Sequence, residues 1–401
     1  MPKKFSLFSV YGIEAEYMIV DKKSLKAKAI ADKILYTLNN GVYTNEVELG
    51  PISWSNELVN HVLEAKCTEP VSTLIDLENL FHASILKINK LLEEHDCILM
   101  PTSMHPWFNP LEETVLWPHD QREIYNLYNE IFDCRGHGWS NLQSVHINLP
   151  YKDEAEFKKL HTAIRAVLPL IPIYSASSPF FEGKPGIYAD NRLAFYEKNQ
   201  AKIPSIIGNI IPENVASTSE YRQILKGIYA DISGYKNAKT LQNPWLNSRA
   251  AIPKFDVGAI EIRLMDIQES PYMDNCLVQF FVAMIKDIVS NDARFALANA
   301  LTDKQLRFIY DEAKKYKPEF NDSTYFDLFG LKSATSAKEF TSALLKSYIT
   351  RLPQQYAKGL EVIGQQGNLS TRMTKLGLSV ETYQKLIHSL CLNEALSVSE
   401  V

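Results

Sequence analysis

Tyr11-Gly-Ile-Glu-Ala-Glu-Tyr17 alternates strictly. In an extended strand successive side chains leave opposite faces, so Tyr11, Ile13, Ala15 and Tyr17 share an oily face while Gly12, Glu14 and Glu16 share the other. Two further stretches repeat the design. In Gln143-Ser-Val-His-Ile-Asn-Leu149, Val145, Ile147 and Leu149 oppose Ser144, His146 and Asn148, and in Ala259-Ile-Glu-Ile-Arg-Leu264, Ile260, Ile262 and Leu264 oppose Glu261 and Arg263. A half-solvated antiparallel sheet would alternate in the same way. Its outer face, however, usually mixes Lys, Thr, Ser and Glu, whereas these positions hold Glu, His, Asn and Arg, the side chains that bind cations and phosphate. Two carboxylates about 4 Å apart repel by about 4 kcal/mol at an effective dielectric near 20, so several on one face require countercharge. Carboxylates with at most one imidazole suit a hard cation, Mg²⁺ or Mn²⁺, better than zinc. Because Mg²⁺ is usually shared with substrate phosphates, ATP is the cofactor this vocabulary points to. No G-x-x-x-x-G-K-[ST] or G-x-G-x-x-G occurs, so any nucleotide chemistry here is led by metal ions and not by a glycine loop.

Outward from these strands, residues 1–70 read as strands and turns. Leu74, Leu77, Phe81, Ile85, Ile88 and Leu92 then recur at helical spacing, predicting an amphipathic helix over 72–95 with Ser72 or Thr73 at its start. Residues 98–119 read as loop, Asp153 opens another helix, and helical period dominates 272–290, 302–316, 335–351 and 377–397. The expected division is a catalytic sheet with packing helices over 1–270 and a helical region over 271–401 packed on the same domain. In Ser55-Asn-Glu-Leu-Val-Asn-His-Val-Leu-Glu-Ala-Lys-Cys67, Glu57 and Glu64 are seven apart and would leave opposite faces of an unbroken strand, so a bulge or bend is needed to bring both to one side. Glu46 and Glu48 read as a solvated hairpin and His61 as a core histidine. His105 fits substrate contact or loop anchoring, and the serines of 175–178 read as a turn. Glycines 359–367 read as a helix stop.

The 401 residues comprise 42 Lys and Arg against 47 Asp and Glu, a net charge of -5, and 46% are hydrophobic. That composition belongs to a globular chain and offers no basic surface for nucleic acid. No apolar run reaches the roughly 18 residues of a membrane span, and no signal-like apolar core precedes the first glutamates, so a soluble, cytoplasmic protein without a membrane partner is expected. Cys67, Cys97, Cys134, Cys276 and Cys391 are scattered and form no C-x-x-C, which predicts free structural thiols.

The motifs GIEAEY, NELVNHVLEAKCTEP, MPTSMHPW, SVHINLPY, SASSPFFEGK and AIEIRLMD, in this order and at these spacings, resemble the glutamate-cysteine ligase type 2 family of the glutamine-synthetase-like superfamily. The likeness spans about residues 10–270 and extends more loosely over the helical remainder. It implies an α+β fold, a curved antiparallel sheet with helices on one face and a helical C-terminal region, holding ATP and metals against the other face. It also implies that Glu14, Glu16, Glu57, Glu64, His146 and Glu261 are metal ligands, with His146 near the nucleotide. Arg263 would contact the transferring phosphate, while Arg192 and Arg249 would contact phosphate or a substrate carboxylate. Glu16 and Arg263 would carry the catalysis. The alanine of GIEAE stands where the family often has glutamate, on the oily face.

The implied activity is an ATP- and Mg²⁺-dependent carboxylate-amine ligase that activates glutamate or a similar amino acid as an acyl phosphate for attack by an amine, cysteine in the namesake reaction. The partners are then small amino-acid and amine substrates, with a sheet edge or the helical third able to support a homo-oligomer. A phosphotransferase acting on a carboxylate or guanidino group is the alternative within the superfamily, distinguished by a stable phosphorylated product without amide. A regulatory protein without turnover is a third reading, weakened by the completeness of the ligand set.

Overall fold

In the computed structural model, residues 4–398 are described; Lys3, one of the two lysines before the first strand, lies outside them. Among the described residues ten strands form: β1 (Gly12–Asp21), β2 (Glu46–Leu49), β3 (Ile52–Asn56), β4 (Val62–Cys67), β5 (Cys97–Met100), β6 (Ser144–Pro150), β7 (Phe180–Phe181), β8 (Lys184–Pro185), β9 (Ala251–Lys254) and β10 (Ala259–Asp266). Eight of them build one sheet in the order β2-β3-β4-β1-β6-β10-β9, with β5 added beside the far half of β1; β7 and β8 make a separate small hairpin. Every pairing in the large sheet is antiparallel. The three stretches with alternating side chains, β1, β6 and β10, are adjacent at its centre.

Their oily faces meet the helices. Ile13, Ala15 and Tyr17 of β1, Val145, Ile147 and Leu149 of β6, and Ile260 and Ile262 of β10 belong to one apolar core with the buried sides of three helices. These are Leu77–Leu92, Glu154–Val167 and Pro271–Ser290. Local sequence explains their starts. The side chains of Asp153 and Ser270 accept hydrogen bonds from the backbone N–H of Glu156 and Met273, and Pro271 needs no hydrogen-bond partner in the first turn. On the other face, β1 changes character beyond Glu16. Met18 and Val20 join Met100 and residues Leu369, Met373, Tyr383 and Leu386 of two C-terminal helices in a second apolar cluster, which closes that end of the polar face.

The structure corrects several expectations. The helix expected over 72–95 begins at Leu77, after Asp76 in a left-handed conformation with no side-chain cap, so neither Ser72 nor Thr73 starts it. Ala31–Leu38 forms a helix within the stretch expected to hold strands and turns, because its buried positions Ala31, Ile34 and Leu35 span little more than one turn and leave a weak period. Cys97–Met100 is a strand at the edge of the expected loop; its apolar run carries no alternation. Among the described residues all five cysteines are free, three of them buried. Gly367, with φ of 94°, ends the helix Gln354–Gln366, whereas Gly359 lies inside it. Among the described residues no helix is long and apolar enough to cross a membrane.

His61 and His105 are core groups. The His61 Nε2–H donates to the Ser140 carbonyl at 2.7 Å and that of His105 to the Leu25 carbonyl at 2.6 Å. Burial lowers both imidazoles to about 4, so they fold neutral. An unfolded imidazole, with pKa about 6.5, binds a proton that the folded one refuses between those values; the stability each contributes is present above pH 6.5 and lost as pH falls toward 4. His61→Asn, whose amide can still donate to Ser140, should therefore lose less stability on acidification than the parent. We expect the gap in unfolding free energy between the two proteins, measured by urea titration, to narrow from pH 7 to pH 4.5 by at most about 3 kcal/mol; a gap independent of pH would contradict a neutral His61.

Candidate active site

Strand register brings the polar faces together. Opposite residues of antiparallel strands point the same way, and β1 places Glu16 across from Glu64, and Glu14 across from Lys66 on one side and His146 on the other. Asn148 stands opposite Gly12 and Glu261. A Cβ on Gly12 would approach the Asn148 Cβ to 3.2 Å, which explains a glycine at the head of this strand. Glu57 and Glu64 reach one side by a hairpin and not by a bulge: β3 ends at Asn56, the chain turns, and β4 returns from Val62.

A dense polar network results. The Ser144 N–H and hydroxyl donate to Glu16 Oε2 at 2.7 and 3.0 Å. His146 Nδ1 lies 3.2 Å from Glu14 Oε2 and its Nε2 3.8 Å from Glu16 Oε1, so one imidazole bridges both glutamates of β1. Asn148 donates to Glu14 Oε1 at 3.0 Å, and the Ser55 hydroxyl to Glu64 Oε2 at 2.8 Å. Countercharge comes from Arg263, whose Nε is 3.1 Å from Glu261, and from Lys254, which pairs with Glu261 and lies 3.1 Å from Glu14. Lys254 is the group that reading the sequence misses. It ends a four-residue strand containing Pro253, too short to show alternation, and reaches the cluster because it pairs with Ala259 at the start of β10.

Crowding sets the electrostatics. Burial and then the Glu16 charge push Glu57 up to about 7, and burial with the Glu14 and Glu57 charges raises Glu64 well above the carboxylate range. Burial alone would raise Glu14 too, but the His146 hydrogen bond and the Lys254 ammonium hold it far below its ordinary value. Burial disfavours the charged form of His146, yet the Glu14 hydrogen bond and the Glu16 and Glu261 charges outweigh it and raise its pKa.

Two sets of possible metal ligands share His146: Glu14, His146 and Glu261, and Glu16, Glu64 and His146, each with ligand atoms within 4.8 Å of one another. The donor chemistry fits a hard divalent cation, and the buried Asn148 Oδ1 nearby has no hydrogen-bond partner. Glu57 is not in either set, although it lines both cavities that flank the cluster. One cavity, about 510 Å³, opens past Glu16 and Glu57 toward Tyr125, Tyr128, Trp139 and Trp245. The other, about 430 Å³, holds Glu14, Glu64, Glu261 and Lys254. His146 and Arg263 stand at their junction.

The two remaining arginines sit differently from what the resemblance implies. Arg249 lines neither cavity: its guanidinium is buried against Glu213, with donor distances of 2.6 and 2.7 Å, and against the Ser205 carbonyl. Arg192 borders the larger cavity but is ion-paired with Asp266, and it also donates to the Leu264 carbonyl. Plain alternation would put Asp266 on the oily face. A register shift between Ile262 and Met265 instead pairs Met265 with Val145 and Asp266 with Ser144, turning Asp266 to the polar side.

An antiparallel sheet backed by helices, with carboxylates and one histidine gathered on its open face, is the architecture of the glutamine-synthetase-like fold. A solved glutamate-cysteine ligase of Francisella tularensis, in complex with AMP, shares it at TM-score 0.58 and 13% identity, over 97% of this chain and 90% of that one. Residues 10–323 match glutamate-cysteine ligase family 2 (GCS2), and the chain belongs to that family. An uncharacterized protein of Archaeoglobus fulgidus is 34% identical over 311 residues, 78% of this chain and 82% of its own. A protein of Ectopseudomonas mendocina, provisionally named glutamate-cysteine ligase 2, is 25% identical over 289 residues, 70% of this chain and 67% of its own.

Glu64 separates stability from ligand binding. Its carboxylate is disfavoured where it sits, so Glu64→Gln should stabilise the metal-free protein at pH 8 by about 1 kcal/mol or more while weakening Mn²⁺ at least tenfold. Urea unfolding in chelator and Mn²⁺ titration by electron paramagnetic resonance measure the two effects; a destabilised variant with unchanged Mn²⁺ affinity would remove Glu64 from the ligand set.

Proposed function

We propose that this protein is an ATP- and Mg²⁺-dependent carboxylate-amine ligase acting on glutamate or a closely similar amino acid. The observation that carries the reading is the convergence of Glu14, Glu16, Glu64, His146 and Glu261 on one sheet face, with Arg263 at the junction of two cavities. Glu14, His146 and Glu261 would hold one Mg²⁺ and Glu16 and Glu64 another, with Glu57 beside them; the ions supply neutralisation of phosphate charge and polarisation of oxygen. Arg192 and Arg249 are left with positioning roles, since Asp266 and Glu213 already match their charges.

The polyphosphate belongs with the cavity that contains Lys254, where an ammonium and the Glu14 ligand set lie together. An oxygen of the substrate's side-chain carboxylate attacks the γ-phosphorus in line, ADP departs, and a mixed acyl phosphate forms. Arg263, fixed by Glu261, offers its guanidinium to the equatorial oxygens during transfer, where a charge-assisted contact is strongest in a site shielded from water. The amine nitrogen then attacks the acyl carbon, inorganic phosphate leaves, and the nitrogen loses its proton. The sum is carboxylate plus amine plus ATP giving amide, ADP, phosphate and a proton. Serine and cysteine nucleophiles have no part in this sequence.

ADP release should require Mg²⁺, ATP, a carboxylate donor such as glutamate, and an amine, with the amide identified by mass spectrometry. Glu16→Gln should abolish turnover and Arg263→Lys should reduce kcat at least a hundredfold, both with native circular dichroism. A stable phosphorylated donor without amide would replace ligation by phosphotransfer, and near-normal rates for Glu16→Gln would remove that residue from the site.

A further inference from the structure

The larger cavity is an unusual place for cysteine. One wall is the ligand face with Glu16 and Glu57; the other is aromatic, with Tyr125, Tyr128, Trp139 and Trp245. Tyr128 organises that wall, its ring centroid 5.4 Å from Trp139 and 5.9 Å from Trp245. Trp139 is held in place by the tight packing of its neighbour Gly138, where a Cβ would fall 1.7 Å from the Asn199 Oδ1 and 2.7 Å from the Phe195 carbonyl. Charge accounting points the same way. The lysines and arginines among the described lining residues are Arg192 and Arg263, the first matched by Asp266 and the second fixed by Glu261. Arg263 and the ions are taken up by the donor carboxylate and the phosphoryl group. Among the described lining residues no further lysine or arginine is left to pair an α-carboxylate on the acceptor, His146 being engaged by Glu14 and Glu16, and an unpaired buried carboxylate is costly. A positively charged amine carrying an aromatic body meets the opposite reception, since carboxylates and the faces of Trp and Tyr both attract a cation.

We propose that the acceptor is an arylalkylamine without a carboxylate, bound in this cavity, and not cysteine. The proposal rests on the ligase reading for its chemistry, and on the cavity alone for its binding. In the step itself the amine nitrogen displaces phosphate from the acyl phosphate as described above, leaving an N-arylalkyl amide of the donor.

The test uses the full chain with Mg²⁺, ATP and glutamate, and compares phenethylamine and 4-hydroxyphenethylamine with cysteine and alanine. We expect kcat/KM at least tenfold higher for the aryl amines. Tyr125→Leu, at a position that lines this cavity and not the one that contains Lys254, should raise the aryl-amine KM at least tenfold and leave the ATP KM within twofold; Trp139→Leu serves if that variant does not fold. Equal or better use of cysteine would overturn the proposal. So would a raised ATP KM with an unchanged amine KM, because the cavity would then hold the nucleotide base. Calorimetric titration with 4-hydroxyphenethylamine reads binding without turnover. Binding lost in Tyr125→Leu, with no amide from any amine, would preserve the pocket and refute the ligase; turnover of other amines with no binding of this one would refute the pocket and preserve the ligase.

Discussion

Like charges at close range govern this molecule. Carboxylates from β1, β4 and β10 face one another across four adjacent strands of the sheet, and their mutual repulsion must be offset for the sheet to persist. The chain offsets it in part with its own groups: an imidazole placed between the two glutamates of β1, an ammonium from β9, and a guanidinium from β10. Hydrogen bonds from Ser55, Ser144 and Asn148 hold individual oxygens. The offset is incomplete at Glu57 and Glu64, whose carboxyls are raised because burial and neighbouring charge act together. Such a deficit leaves the cluster less stable by itself than a neutral one would be.

The oily face supplies the rigidity that makes the deficit tolerable. Strand register can slip only by exchanging faces, and a one-residue slip of β1 would bury Glu14 and Glu16 among the side chains that pack on Leu77–Leu92 and Pro271–Ser290. The core therefore fixes the site. The C-terminal helices add the closure at Met18 and Val20, so that the polar patch has a defined end and does not run the length of the strand.

Two cavities meeting at His146 and Arg263 give the site a direction. On one side a lysine accompanies the carboxylates, the arrangement suited to polyphosphate. On the other the carboxylates give way to indole and phenol rings. The members of that second wall come from residues 125–139 and 245, in the segments that lead into β6 and β9 and outside the strands themselves.

The alternation in β1, β6 and β10 made the sheet, its buried side and most of its ligand face readable, because a period of two is a local property of extended chain and residue type declares which face is chemical. Glu14, Glu16, His146, Glu261 and Arg263 are legible on that ground. What the pattern could not convey is any pairing that depends on chain reversal or on irregular backbone. The hairpin after Asn56 aligns Glu57 with Glu64, the register shift before Met265 turns Asp266 toward Arg192, and the short strand β9 delivers Lys254. Arg249 shows the same limit in reverse: its neighbours resemble those of a phosphate-binding residue, yet Glu213, thirty-six positions earlier, takes its charge. Local periodicity comes from the bonds of one segment, whereas the partner of a charge is chosen by whichever distant segment folds against it.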